Sequence, residues 1–490
     1  MLPLAGLRWE NSFARLSEAF HQRVAPTPLP NPYLVAFNPD AAALLELDPA
    51  SATTTEFLTV MSGSGRVAGM DPLAAIYAGH QFGVWVPELG DGRAILLGEV
   101  GGAAEQRWEV QLKGAGMTRF SRMGDGRSVL RSAIREYLAS EAMHGLGIPT
   151  SRSLAITGSA LPVYRERTET AAVFVRLAPS HVRFGSFELF ASRGMHTEVH
   201  ELADYVISLH FPELVGLPAG ERYAAWYRAI VERTARLMAQ WTAVGFAHGV
   251  MNTDNMSILG LTLDYGPYGW LDHYDPGFIC NHTDHTGRYA FDQQPRVGWW
   301  NCSRLGVALT PLLDEASARS ALESYRPMFE STINALMGAK FGLTSLDAGD
   351  PALQGELFDL LYRTGADYTR FFRALARFDA GDRGSRAALH AEIPDTAATD
   401  RWLDRYTTRL EMEGSVRGER ERRMLETNPK FVLRNWVAQE VIEAAEAGNF
   451  ALIETVREVM AAPFEEHPAW ERFAEAPPHG VPQVVVSCSS

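Results

Sequence analysis

The sequence predicts an α+β fold of two lobes, strand-rich first and helical second, closed by a C-terminal tail. Three observations carry this expectation. Strand-like runs cluster early in the chain, a single well-bounded helix interrupts them at 126–147, and long amphipathic segments dominate after residue ~180. The expected boundaries are 1–178, 179–465 and 466–490.

RAILLGEV (93–100) is an apolar run that follows the turn-forming GDG at 90–92, and RWEVQLKG (107–114) alternates and stops at a glycine. GRSVLRSAIREYLASEAMHGLG (126–147) sets Val129, Ala133, Glu136 and Ser140 on one helical stripe, with Gly145 or Gly147 able to end it. RSLAITG (152–158) and AAVFVRLA (171–178) complete the strand set. Helices follow at 198–211 and 221–246, then near 313–337, 352–377, 398–412 and 430–446. MSILGLTL (256–263) reads as a short strand, and the proline-rich terminus as a flexible tail lying over a surface.

Bulk composition narrows the function. The chain has 490 residues, 46% hydrophobic and 21% charged, ordinary for a globular protein. A net charge of −14 argues against a general nucleic-acid binder, though not against a local cationic pocket. No run approaches the ~20 apolar residues that span a bilayer. The opening MLPLAGLRWENSF lacks a basic n-region and a long apolar core, so a cytoplasmic protein is expected. Cys280, Cys302 and Cys488 form neither a disulfide framework nor a zinc spacing. Cys302 reads as a packed core thiol, whereas Cys488 sits near the terminus, where a redox role is open.

The chemistry-bearing residues come in a suggestive order. Lys113 ends a strand, and Glu136 lies 23 residues later on a stripe of small and apolar side chains. A carboxylate there needs a partner, and Lys113 is the natural one, against the bland alternative of an unrelated surface lysine and a helix glutamate. ELGDGR (88–93) and RMGDGRS (122–128) each offer glycines for close backbone approach and an arginine for charge. Arg176 and Arg183 flank the expected junction between lobes, and each needs either a carboxylate or a phosphate. HGVMNTDN (248–255) fits the frame of a kinase catalytic loop, HRDxxxxN, with Val250 where the acid should be. Asn255 and Asp264 lie nine residues apart, with Asp264 opening DYG, a set that in a kinase holds a metal ion. Asp254 is then the nearby candidate base. The layout is protein-kinase-like.

Long blocks around these residues resemble the selenoprotein O family. They are YAGHQFGVWVPELGDGRA (77–94), QLKGAGMTRFSRMGDGRSVLRSAIREYL (111–138), the 248–272 segment, RYAFDQQPRVGWWN (288–301) and NPKFVLRNWVAQEVIEAA (428–445). The resemblance implies a kinase-like fold that moves AMP from ATP, and in some members UMP from UTP, to hydroxyl side chains of proteins, with the nucleotide reversed. It implies nucleotide contacts from Gly90, Gly92, Arg93, Lys113, Asp125, Gly126, Arg176, Arg183 and Asp264. It further implies Mg²⁺ or Mn²⁺ on Asn255 and Asp264, Asp254 as proton acceptor, Glu136 paired with Lys113, and a redox pair Cys280–Cys488. A conventional kinase with Asp254 as relocated base, and a silent ATP-binding scaffold, remain the alternatives. No oligomeric state follows.

Overall fold

Alternating apolar side chains build the N-terminal half into a nine-stranded antiparallel sheet. The computed structural model describes residues 1–102, 106–478, 480, 484 and 486. Across the sheet the order is His21–Arg23, Leu73–Ala75, Ala94–Gly101, Arg107–Lys113, Thr168–Ala178, Arg152–Tyr164 and Tyr33–Phe37. Two short strands, Trp9–Glu10 and Ser128–Val129, pair with Ala94–Gly101 and Thr168–Ala178 respectively.

The two-residue period decides which side chains reach the site. Trp108, Val110 and Leu112, with Val173, Val175 and Leu177, enter one core beside Phe57 and Met61. Ala172 and Phe174 therefore face the opposite side, in a second core with Leu130, Ile134 and Leu138 of the helix Leu130–Gly145. Gln111, Lys113 and Arg176 share that parity, and Arg176 stands opposite Gln111 in the register. Polar residues thus emerge from an apolar sheet on the helix side. Gly147, at φ +73°, ends that helix as expected, its amide bonding His144 O at 2.9 Å while Ile148 N bonds Met143 O at 3.0 Å.

The C-terminal half is helical around Ala219–Ala243, whose Trp226, Tyr227, Ile230 and Met238 are buried and which packs on Gln294–Ala308 and Tyr325–Lys340. Three expectations change. The segment 313–337 forms two helices, Glu315–Glu323 and Tyr325–Lys340, and Pro327 falls in the first turn of the second, where no amide is needed. The segment 352–377 breaks at Gly365, which takes φ +65°, before Asp367 caps the next helix by accepting from Arg370 N at 3.0 Å. The segment 256–263 is not a strand. Gly260, at φ +73°, reverses the chain so that Met256 bridges Thr262. Finally, Asn435–Glu446 and Ala451–Ala461 return to pack on Leu130–Gly145. Among the described residues no helix is long and apolar enough to cross a membrane.

Candidate active site

The polar side chains selected by strand parity open into a cavity of about 630 Å³. It lies between the sheet, the helix Leu130–Gly145 and the 250–267 loops, and all eleven residues expected at the nucleotide, metal and proton-transfer positions line it, together with Glu136. Cys280 and Cys302 do not, and Cys488 lies outside the described residues.

An ion network fills the deep end. Lys113 Nζ donates to Glu136 Oε2 at 2.5 Å and to Asp264 Oδ1 at 3.2 Å. Arg176 Nη1 reaches Glu136 Oε1 at 3.0 Å and Asp264 Oδ1 at 2.6 Å, while its Nε and Nη2 both donate to Gln111 Oε1. Arg183 Nη1 lies 2.5 Å from Asp264 Oδ2. Burial opposes ionisation of Asp264, but Arg176, Arg183 and Lys113 outweigh it and hold this carboxyl well below the usual range. Burial pulls the Lys113 ammonium down, against Glu136 and Asp264. Three cations thus converge on Glu136 and Asp264, with Asp91 at the edge of the network, 3.8 Å from Arg183 Nη2.

More charge lines the mouth. Seven Lys and Arg side chains border the cavity against five Asp and Glu, in a chain of net charge −14. Arg93 is half-buried, and its side chain makes no hydrogen bond or ion pair to a described residue, although its carbonyl accepts from Gly114 N at 2.6 Å. Both GDGR turns pack against the 116–120 loop through glycine. A Cβ on Gly90 would stand 2.5 Å from Phe120 Cγ, and one on Gly126 would stand 2.2 Å from Gly116 C. Thr118 Oγ1 donates to Asp91 O at 2.7 Å, joining the loops. Asp125 is committed to Arg165 through two 2.8 Å bonds, and these hold its carboxyl below the ordinary value.

The 248–255 segment is held differently. His248 Nε2 donates to Leu263 O at 2.9 Å and the ring stacks on Trp241, so it ties the loop to the chain entering Asp264. Burial lowers its pKa and favours that neutral tie. Val250 lines the cavity and can take no proton. Asp254 Oδ2 accepts from Gln81 Nε2 at 3.1 Å, whereas Oδ1 has no hydrogen-bond partner among the described residues. Burial pushes its carboxyl up to about 6. Of the five carboxylates around the cavity, Asp254 alone has no ion pair among the described residues.

A family described as "Protein adenylyltransferase SelO" matches residues 3–461. The chain is 55% identical to a Myxococcus xanthus protein nucleotidyltransferase YdiU over 490 residues, covering all of both chains. It is also 55% identical to the Thioalkalivibrio sulfidiphilus YdiU protein over 496 residues and 51% to that of Thiobacillus denitrificans over 491, again in full. The chain belongs to the SelO family.

In this SelO-family chain several residues complete the site without having been singled out from sequence. Asp91 accepts from Ala75 N at 3.1 Å and Gln111 Nε2 at 3.2 Å, and lies 3.8 Å from Arg183 Nη2. Gln111 was legible from its parity with Lys113. Gln81 was not, because it reaches Asp254 across 173 residues from the small hairpin Gly79–Gln81/Val84–Val86. That hairpin is anchored by His80 N to Thr253 Oγ1 at 2.7 Å and Phe82 N to Asn252 Oδ1 at 3.1 Å.

The donor set fits a hard divalent cation. Asn255 Nδ2 donates to Val250 O at 3.0 Å, which leaves Oδ1 as an acceptor, and Asp264 adds a carboxylate. Among the described residues no three His, Cys, Asp or Glu side chains could hold a metal by themselves. One carboxylate and one amide oxygen, completed by phosphate oxygens, is how Mg²⁺ is commonly bound.

Proposed function

We propose that this chain transfers AMP from ATP to Ser, Thr or Tyr hydroxyls of proteins and releases pyrophosphate, on a kinase-like two-lobed scaffold with the nucleotide reversed. Asp254 carries the reading. It is buried, lacks an ion pair among the described residues, presents an unpartnered oxygen to the cavity and titrates near 6, while Val250 leaves the usual base position apolar. Such a carboxylate is ionised at neutral pH and basic enough to take a proton. Lys113, Arg176 and Arg183 would seat the γ end of the triphosphate, Glu136 would fix Lys113, and Arg93 with the Gly90, Gly92 and Gly126 backbones would flank the rest, beside Asp125. UTP carries the same triphosphate and would pass UMP by the same route.

The acceptor hydroxyl gives its proton to Asp254, and its oxygen forms a bond to the α-phosphorus. The bond from that phosphorus to the α,β-bridging oxygen breaks, and pyrophosphate leaves with the electron pair. A bound Mg²⁺ or Mn²⁺, held by Asn255 and Asp264, supplies charge neutralisation across the phosphates.

ATP labelled at the α- or the γ-phosphate tests this, with lysate protein as acceptor and Asp264→Ala as control. Covalent label from α-ATP alone supports AMP transfer. Label from γ-ATP alone would mean a kinase with a relocated base, and no label despite ATP binding would mean a scaffold. The same assay with and without a thiol reductant tests the proposed Cys280–Cys488 bridge. A rate change that Cys488→Ser abolishes supports the bridge, and an unchanged rate refutes it.

A further inference from the structure

Three arginines gather around one half-buried tryptophan without a carboxylate partner among the described residues. Arg296, Trp300 and Arg304 fall at i, i+4 and i+8 on the helix Gln294–Ala308 and so share one face. Arg288, from the preceding loop, places its Cζ 4.6 Å from the Trp300 ring centre, and Arg304 Cζ lies 5.4 Å from it. None of Arg288, Arg296 and Arg304 makes an ion pair among the described residues, and Nε of both Arg288 and Arg304 is buried without a hydrogen-bond partner.

Nearby acids do not fill the gap. Asp284 spends both oxygens on the backbone amides of Arg288 and Tyr289, at 3.0 and 2.7 Å. Glu188 binds His80 through Oε1 at 2.6 Å, and its buried Oε2 makes no ion pair with these arginines among the described residues, while Glu88 binds Arg193 at 2.6 Å.

The patch is continuous with the reacting end of the cavity. Its link is the hairpin that carries Gln81 to Asp254, because a Cβ on Gly83 would stand 3.1 Å from Arg288 Cζ. His80 of the same hairpin meets Trp300 edge-on at 5.3 Å. Around this link Val84 and Trp299 stay 67% and 44% exposed. An extended acceptor segment whose hydroxyl sits at Asp254 can follow this hairpin to these groups.

We propose that Arg288 and Arg304 stacked on Trp300, with Arg296 one turn away on the same helix face, bind acidic side chains flanking the acceptor hydroxyl, and so select protein substrates with Asp or Glu beside the modified residue. Two stacked guanidinium groups without a carboxylate partner among the described residues match an incoming carboxylate, and stacking on the indole holds them oriented for it. The proposal rests on Asp254 receiving the acceptor proton.

The test is to map the modified sites in a lysate after reaction with α-labelled ATP, for the wild-type chain and for Arg288→Glu/Arg304→Glu. Wild type should show Asp and Glu enriched severalfold within about four residues of the modified hydroxyl. The charge-reversed variant should lose that enrichment and gain Lys and Arg, with ATP affinity unchanged. Arg288→Lys/Arg304→Lys should keep most of the acidic preference, which separates a charge effect from damaged folding. Flat or basic flanks in wild type, or acidic flanks that persist after charge reversal, would overturn the platform. Absence of label from α-ATP on any protein would instead overturn the transferase reading beneath it.

Discussion

Asp254 is the residue at which chemistry and stability pull apart. An ordinary Asp carboxyl titrates near ~4, but in the fold burial moves this one up to about 6. Folding therefore favours its protonated form. That stabilising contribution is complete below pH ~4 and is lost as pH rises through about 6, so at neutral pH the chain carries a buried, poorly paired charge. Asp254→Asn should raise unfolding stability at pH 8 by on the order of 1–3 kcal/mol, with the gain vanishing below pH ~4, while turnover falls by about 10²–10⁴-fold. Chemical denaturation across pH, alongside label transfer, reads both. Gln81 donates to the charged carboxylate at 3.1 Å and holds its pKa down, so Gln81→Leu should move the acid limb of kcat/KM upward from about 6. An unmoved limb would show that Gln81 merely packs there.

At the scale of elements, the hairpin Gly79–Gln81/Val84–Val86 and the 252–254 turn act as one unit. Gly79 permits this, because a Cβ there would lie 2.7 Å from Asp254 Oδ1 and 3.1 Å from Asp254 N. Gly79→Ala should therefore displace Asp254, the proposed base, rather than the nucleotide, lowering kcat on the order of 10²-fold with ATP affinity unchanged. Equal losses in kcat and ATP binding would contradict this. The same unit shows what the sequence made legible. Lys113 and Arg176 could be read because strand parity sends them to the helix side, and Glu136 because its stripe left a carboxylate in need of a cation. Asn255 and Asp264 were legible from spacing within one segment. Gln81 and Asp91 were not, since each acts across a contact between loops that no local period encodes. The 256–263 run misled because apolar content resembles a strand, whereas Gly260, free to take φ +73°, folds it back on itself.

Across the whole molecule, the position of Glu136 depends on the far end of the chain. The helix that carries it is covered by Ala451–Ala461, and the contact is close enough that a Cβ on Gly145 would stand 2.1 Å from Met460 O. That carbonyl belongs to a helix which cannot simply retreat. Arg457 fixes it to Asp40 at 3.0 Å, and Tyr137, Ile453, Val456 and Met460 are buried in the same core. Gly145→Ala must push the two helices apart, costing about 1–3 kcal/mol by overpacking, and it should lower kcat/KM by loosening the Glu136–Lys113 pair. Gly147→Ala is the matched comparison. It meets nothing within 4 Å and suffers only the strain of φ +73°, about 1 kcal/mol, at the helix end. Thermal unfolding and label transfer on the pair should rank Gly145→Ala as the more damaging in both. Saturating ATP, by binding only the folded chain, should restore part of its melting temperature. If the two variants unfold together and retain equal activity, the C-terminal helices cover the Glu136 helix without setting its position.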